Sequence, residues 1–238
     1  MPGKRRYPFA ARGNAPKRFA PNQKKRRSFR KYKGKGKFAR LVKSVVHRIA
    51  EKKVLTPNPI DNSLSRSQPL LRRVFSNINS GTASDQRVGD KVTITSTIIS
   101  IRLTTTYPND VPICVDFYYM LYKPGNDSKT ETDQLNEFLE ADIAGNRSTL
   151  SFRNTDEYKS YRVLRRKRMY VRATITAAVN YAEALIKWKG RYTVDIRDGV
   201  IRQNAPLVLM VCSHNLEANP ADPVMNANCQ MRLYYTDL

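Results

Sequence analysis

Two hydrophobic periods divide the chain. From Phe38 to Ile49 the apolar residues Phe38, Leu41, Val42, Val45, Val46 and Ile49 recur at i, i+3, i+4, i+7, i+8 and i+11. That spacing predicts one helix over 38–53 with a single apolar stripe. Arg40, Lys43, His47 and Arg48 surround the stripe, so the helix is basic and can pack on its own domain or lie on a membrane surface. The run Thr56-Pro57-Asn58-Pro59 stops it and opens a linker expected to span 54–69.

Beyond residue 70 the period becomes two, the mark of half-buried strands. Val92, Ile94 and Ile98 share one parity while Ile99, Ile101 and Leu103 take the other, and that phase shift predicts a β-bulge or a bend in one long strand. Ile113, Val115, Phe117, Tyr119 and Leu121 predict a second strand, and Met169, Val171, Ala173 and Ile175 a third. Tyr192, Val194 and Ile196 predict another, and Cys229, Met231, Leu233 and Tyr235 a closing one. Leu207–Cys212 is apolar on both faces, as a central strand requires. Weaker strands are expected near 70–78, 147–153 and 158–164, with one helix at Thr132–Ala141 in a long connection. Roughly eight strands without an internal repeat predict an all-β fold, a single eight-stranded jelly-roll β-sandwich over 70–238.

Charge separates the chain more sharply than hydropathy does. Of 238 residues with a formal net charge of +23, residues 1–53 hold 20 Lys and Arg against one acid, Glu51, a net of +19. Residues 54–238 hold 23 against 19, a net of only +4. The first 40 residues carry 16 Lys and Arg, no acid, and interspersed Pro and Gly. Such a segment cannot bury enough apolar surface to offset its ordering entropy, so 1–37 is expected to be a disordered arm when alone, spanning roughly 35 Å as a flexible coil. Its Arg5, Arg6, Arg12, Lys17, Arg18, Lys24, Lys25, Arg26, Arg27, Arg30, Lys31, Lys33, Lys35 and Lys37, with Arg40 beyond, suit the neutralisation of phosphates. Phe19, Phe29, Tyr32 and Phe38 lie among them and can stack on unpaired bases. Lys17-Arg18 and Lys24-Lys25-Arg26-Arg27 also read as a nuclear localisation signal, whose chemistry is that of a nucleic-acid contact. A second cluster, Arg165-Arg166-Lys167-Arg168, falls inside the β region. In a strand its charges alternate between faces; in a turn they project together. A solvated loop and a contact to a packaged strand or a neighbouring subunit both remain open for it.

Enzyme chemistry finds no foothold in the motifs. GxxxxGK[ST], GxSxG and HExxH are absent, and His47 and His214 are the two histidines. Cys212-Ser213-His214 with Cys229 matches no common zinc spacing, and both cysteines sit in apolar strand patterns, so inert buried thiols and no metal are expected. Three sparse cysteines, Cys114, Cys212 and Cys229, suggest reduced thiols. The basic start lacks a following apolar stretch, so no secretory signal is expected, and no apolar run reaches membrane-span length, so stable membrane insertion is not expected. No cofactor is expected.

Several segments resemble the coat proteins of geminiviruses and of related circular, Rep-encoding single-stranded DNA viruses. They are Asn204-Ala205-Pro206 through Met210-Val211-Cys212-Ser213-His214, then Asn219-Pro220, and Met231-Arg232-Leu233-Tyr234-Tyr235-Thr236-Asp237. Tyr161-Arg162-Val163-Leu164-Arg165-Arg166 is similar to their aromatic-x-Val-Leu-basic strand, and Gly81-Thr82 with Gln86-Arg87-Val88-Gly89-Asp90 to their strand lead-in. The resemblance covers 75–95 and 155–238 and the arm only in composition. The Cys/His cluster proposed as a zinc finger in some geminivirus coat proteins is missing, so a genomovirus-like relative fits better. The resemblance implies a capsid protein that assembles with itself into a small icosahedral, T=1-type shell. It further implies packaging of viral single-stranded DNA through the arm, and residence in the virion and, during assembly, in the host nucleus by way of the import machinery. A monomeric nucleic-acid-binding protein, ribosomal-protein-like or chaperone-like, is the alternative; a nuclease ranks last for want of clustered carboxylates or histidines.

Overall fold

The computed structural model describes residues 52–65, 69–105, 113–125, 129–141, 145–154, 158–171, 180–213 and 225–237. Ten strands follow in order: β1 (Lys52–Leu55), β2 (Ile60–Leu64), β3 (Leu70–Arg73), β4 (Lys91–Thr105), β5 (Ile113–Tyr122), β6 (Tyr161–Val171), β7 (Asn180–Arg197), β8 (Val200–Gln203), β9 (Ala205–Cys212) and β10 (Met225–Asp237). One helix, α1 (Glu131–Phe138), lies between β5 and β6.

Every ladder is antiparallel. The larger sheet, sheet A, runs β1-β10-β4-β7-β8 with β2 also on β10; sheet B runs β3-β9-β5-β6. Since β1 and β2 are two pieces of one edge and β8 is a short return of β7, eight strands remain. In chain order they read 1-8-3-6 and 2-7-4-5, successive strands alternating between layers except at the step from the fourth to the fifth, which is the jelly-roll double Greek key. The expected fold class is the one observed.

The core lies between the sheets. Ile99, Ile101 and Leu103 of β4, Val115, Phe117 and Leu121 of β5, Val208 and Met210 of β9, and Cys229, Met231 and Leu233 of β10 are all buried there, alternating with outward residues as the pleat requires. Asp198 and Gly199, both at positive φ (52° and 72°), join β7 to β8 in the two-residue turn whose backbone twist suits a hairpin.

Several expectations are corrected. The bulge in β4 sits at Thr95, not between Ile98 and Ile99: the registers to β7 and β10 both skip between Ile94 and Ser96. Thr97 therefore points inward and Ile98 outward. The reason is polar: Thr97 Oγ1 and Tyr119 OH are 3.0 Å apart and Tyr119 OH and Tyr192 OH 2.6 Å apart, a buried hydroxyl chain inside the core. Opposite Thr95, β7 carries Gly190, where a Cβ would lie 2.5 Å from the Trp188 ring. The bare backbone lets Trp188 pack edge-on to Tyr119 at 6.1 Å and against Tyr192 at 5.3 Å.

Much of the segment expected as a linker, 54–69, is strand, because Ile60 and Leu64 face the core and β10 supplies a free edge for β1 and β2. Lys52 and Lys53 belong to β1 rather than to the end of a helix, and residues 38–51, over which the helix is expected, lie outside the described residues. The weak strand at 147–153 is a turn region with one isolated bridge, Leu139 to Arg153. The separate strands near 158–164 and 169–175 are one strand, β6, preceded by a 3-10 turn at Tyr158–Ser160; residues 172–179 lie outside the described residues. The helix expected at Thr132–Ala141 starts one residue earlier, behind Thr130, whose side chain and Asp133 form a reciprocal capping box.

Candidate nucleic-acid and assembly surfaces

The basic residues singled out between Arg5 and Arg40, the nuclear-localisation clusters among them, lie outside the described residues. The same holds for His214.

The Arg165–Arg168 cluster is placed, and it is strand. On β6 its side chains alternate, and the register sets Arg168 opposite Asp116 and Arg166 opposite Tyr118 on the outer face of sheet B. Asp116 is fully buried, and Arg168 grips it with two bonds of 2.8 Å while Arg166 Nη2 donates at 2.5 Å. Burial works to raise the Asp116 carboxyl pKa, but the Arg168 and Arg166 hydrogen bonds and charges outweigh it and hold the group below its usual range. Asp116 in turn raises the pKa of both guanidiniums. Arg166 lies over the Tyr118 ring at 5.2 Å, and Arg153 approaches Tyr118 at 6.0 Å and Phe138 at 5.8 Å. Two of the four cluster cations thus secure a buried acid inside their own subunit. Arg165 and Lys167 alternate with them and are exposed.

Sequence reading missed Asp116. The signal was present: a lone acid inside the apolar run Ile113–Tyr122 needs a cation, and the cluster is the nearest dense supply.

That outer face of sheet B is otherwise covered by its own chain. Phe138 at the end of α1 meets Tyr118 edge-on at 5.8 Å and Tyr161 at 5.3 Å, and Tyr161 OH donates to Gln134 O at 3.0 Å. Arg72 of β3 pairs with Glu131 at the start of α1. Leu150 and Phe152, 79% and 78% exposed, project from the adjoining turn.

The outer face of sheet A is polar, and no described element lies over it. Its rows follow from the ladders: Lys189–Ser96–Tyr234, Lys187–Ile98–Arg232, Leu185–Ser100–Gln230, Glu183–Arg102–Asn228–Asp61 and Tyr181–Thr104–Asn226–Ser63. A shallow concavity of about 590 Å³ occupies the last three rows. Arg102 is held by Glu183 at 2.6 Å, whereas Lys187, Lys189 and Arg232 have no acid within ion-pair distance among the described residues.

The segment Gly81-Thr82…Gln86-Arg87-Val88-Gly89 clasps the end of the sandwich. Arg87 is buried and donates to Ile78 O at 2.9 Å and Gly89 O at 2.6 Å. Gln86 O accepts from Tyr235 OH at 3.0 Å and from Lys53 Nζ at 2.8 Å, and Lys53, 2% exposed, also pairs with Asp237 at 2.9 Å. These residues fasten β1 to β10.

Comparison with solved structures finds chains similar to this one. The structure of Desmodium yellow mottle tymovirus contains a chain similar to this one, 14% identical, covering 79% of this chain and 89% of that chain at a TM-score of 0.29. No protein-family profile and no curated protein matches the chain. The jelly-roll topology stands on the strand registers and not on that likeness.

Metal and thiol chemistry can be located too. No group of three or more His, Cys, Asp or Glu among the described residues is arranged to hold a metal ion. Burial pushes the Cys212 and Cys229 thiols up to about 12, and burial also raises Cys114, although Arg168 nearby opposes it. No helix among the described residues is long and apolar enough to cross a membrane.

Proposed function

We propose that this chain is the structural subunit of a viral shell that packages nucleic acid through its basic arm, without catalysis. The observation that carries the reading is the segregation of charge. A net of +19 lies in residues 1–53, ahead of a jelly roll whose own net is +4. A near-neutral sandwich can pack against copies of itself without strong repulsion, while the arms repel one another until a polyanion neutralises them. Assembly and packaging are then one coupled event. The finer reading is a small T=1-type icosahedral shell of a geminivirus- or genomovirus-like virus. Its genome is single-stranded DNA, the protein enters the host nucleus on the Lys17-Arg18 and Lys24–Arg27 clusters, and it ends in the virion. This rests on the resemblance of the closing strands and the lead-in segment, whose residues here fasten the sandwich.

Negative-stain electron microscopy of the full chain, nuclease-treated at moderate salt, tests the proposal. Uniform closed particles that protect nucleic acid are expected. Monomers or irregular aggregates across a range of salt and added single-stranded DNA would replace the shell with a soluble nucleic-acid-binding protein.

A further inference from the structure

The two sheets present opposite outer faces, and among the described residues only one is covered. Sheet B is roofed by α1 and the turn that follows it, with Phe138 seated on Tyr118. Over sheet A no described element packs, and Lys187, Lys189, Gln230 and Arg232 all stand exposed.

The chemistry of that face limits what can cover it. A stable protein interface is apolar and poor in charge at its centre. Here the middle strands present Ser100, Arg102, Asn228 and Gln230 beside a half-buried Ile98, and the strongly exposed apolar side chains of this face, Leu185 and Tyr181, lie on β7. Lys187 and Lys189 are two residues apart on β7, about 7 Å along the strand, and Arg232 lies across Ile98, two strand spacings or about 10 Å away. These three cations, without an acid partner among the described residues, form a positive corner beside Tyr234, and Tyr181, 68% exposed, stands at the far end of the same face. Cations that meet phosphates, aromatic rings that stack on unpaired bases, and amides in a shallow trough between them are the requirements of a single-stranded nucleic-acid track.

We propose that the outer face of sheet A is a second single-stranded nucleic-acid-binding surface, distinct from the arm, and that it turns this face toward the packaged strand. Lys187, Lys189 and Arg232 take the phosphates, Tyr181 and Tyr234 stack on bases, and the concavity lined by Ser100, Asn226 and Gln230 admits base edges. The inference rests on the nucleic-acid-packaging reading above and goes further by fixing which side of the sandwich meets the polymer.

The test uses the full chain with a bromodeoxyuridine-substituted single-stranded oligonucleotide, photo-crosslinked and mapped by mass spectrometry. Adducts at Tyr181 or Tyr234 are expected in addition to those in residues 1–44. The K187A/K189A/R232A variant, with an unchanged far-ultraviolet spectrum, is expected to lower the slope of log K against log salt by about 2. Binding with adducts confined to residues 1–44 and an unchanged slope would overturn this inference while leaving the shell reading intact. A full chain that neither binds the oligonucleotide nor assembles would overturn both.

Discussion

Asp116 is fully buried yet meets two guanidiniums that are each nearly half exposed, and that asymmetry predicts an asymmetric response to mutation. Removing the acid, in Asp116→Asn, leaves Arg166 and Arg168 free to turn into water. The cost is then that of weakened hydrogen bonds, about 1–2 kcal/mol. Removing the cations, in R166A/R168A, leaves a charge at zero exposure with no partner, which costs about 3–5 kcal/mol. Against a total of roughly 5–15 kcal/mol for a domain, the second loss is severe and the first is modest. Urea unfolding of the nucleic-acid-free chain, followed by fluorescence of the single tryptophan, Trp188, reads the difference. With a slope near 2–3 kcal/mol/M, the double variant's midpoint falls by about 1–2.5 M and the Asp116→Asn midpoint by no more than about 1 M. The pH dependence supplies an independent sign. In the native protein the Asp116 pKa is depressed, so its stabilisation is present above the unfolded value near 4 and is lost as pH falls through the lower folded value. In R166A/R168A burial acts alone and raises that pKa. The variant's deficit is therefore full at neutral pH and shrinks on acidification, as the carboxyl protonates in the fold before it does in the unfolded chain. Equal losses in the two variants, or a double-variant deficit that ignores pH, would refute the reasoning.

Further expectations follow from the core and the thiols. Gly190→Ala places a methyl against the Trp188 ring, lowers stability by about 1–3 kcal/mol and shifts the Trp188 emission as the indole leaves Tyr119 and Tyr192; unchanged emission would contradict the packing. Tyr119→Phe strands the hydroxyls of Thr97 and Tyr192 and costs about 1–3 kcal/mol by thermal or urea unfolding, more than Tyr192→Phe, after which Tyr119 and Thr97 still bond. Burial raises Tyr119 to about 12, above its unfolded value near 10, so this contribution is complete below pH 10 and is lost as pH rises from there toward 12; spectrophotometric titration checks that Tyr119 does not ionise with the exposed tyrosines. At pH 8 the native chain reacts with a thiol reagent at Cys114 before Cys212 or Cys229, which become reactive only on unfolding; early labelling of either buried thiol would contradict their placement.

The two-residue period, the apolar run at Leu207–Cys212 and the split of charge near residue 53 were readable from the chain alone, because each is a local pattern that any sandwich behind a basic arm must carry. Strand pairing is not local. The apolar parity changes between Ile98 and Ile99 and suggests a bulge or a bend there, but a threonine hydroxyl enters the core when Tyr119 and Tyr192 meet it from other strands, and the bulge lies at Thr95. Residues 54–64 look like a linker until β10 offers them an edge. The Arg165–Arg168 run reads in sequence as a solvated loop or as a contact to a packaged strand or a neighbouring subunit, yet the acid that holds two of its members lies about 50 residues away and meets them only across a ladder. The basic corner of sheet A was likewise invisible, since Lys187, Lys189 and Arg232 are unremarkable in sequence and become one surface only when β7, β4 and β10 lie side by side. Residue type determines which side chains are buried or charged; only the registers between distant strands decide which of them share a face.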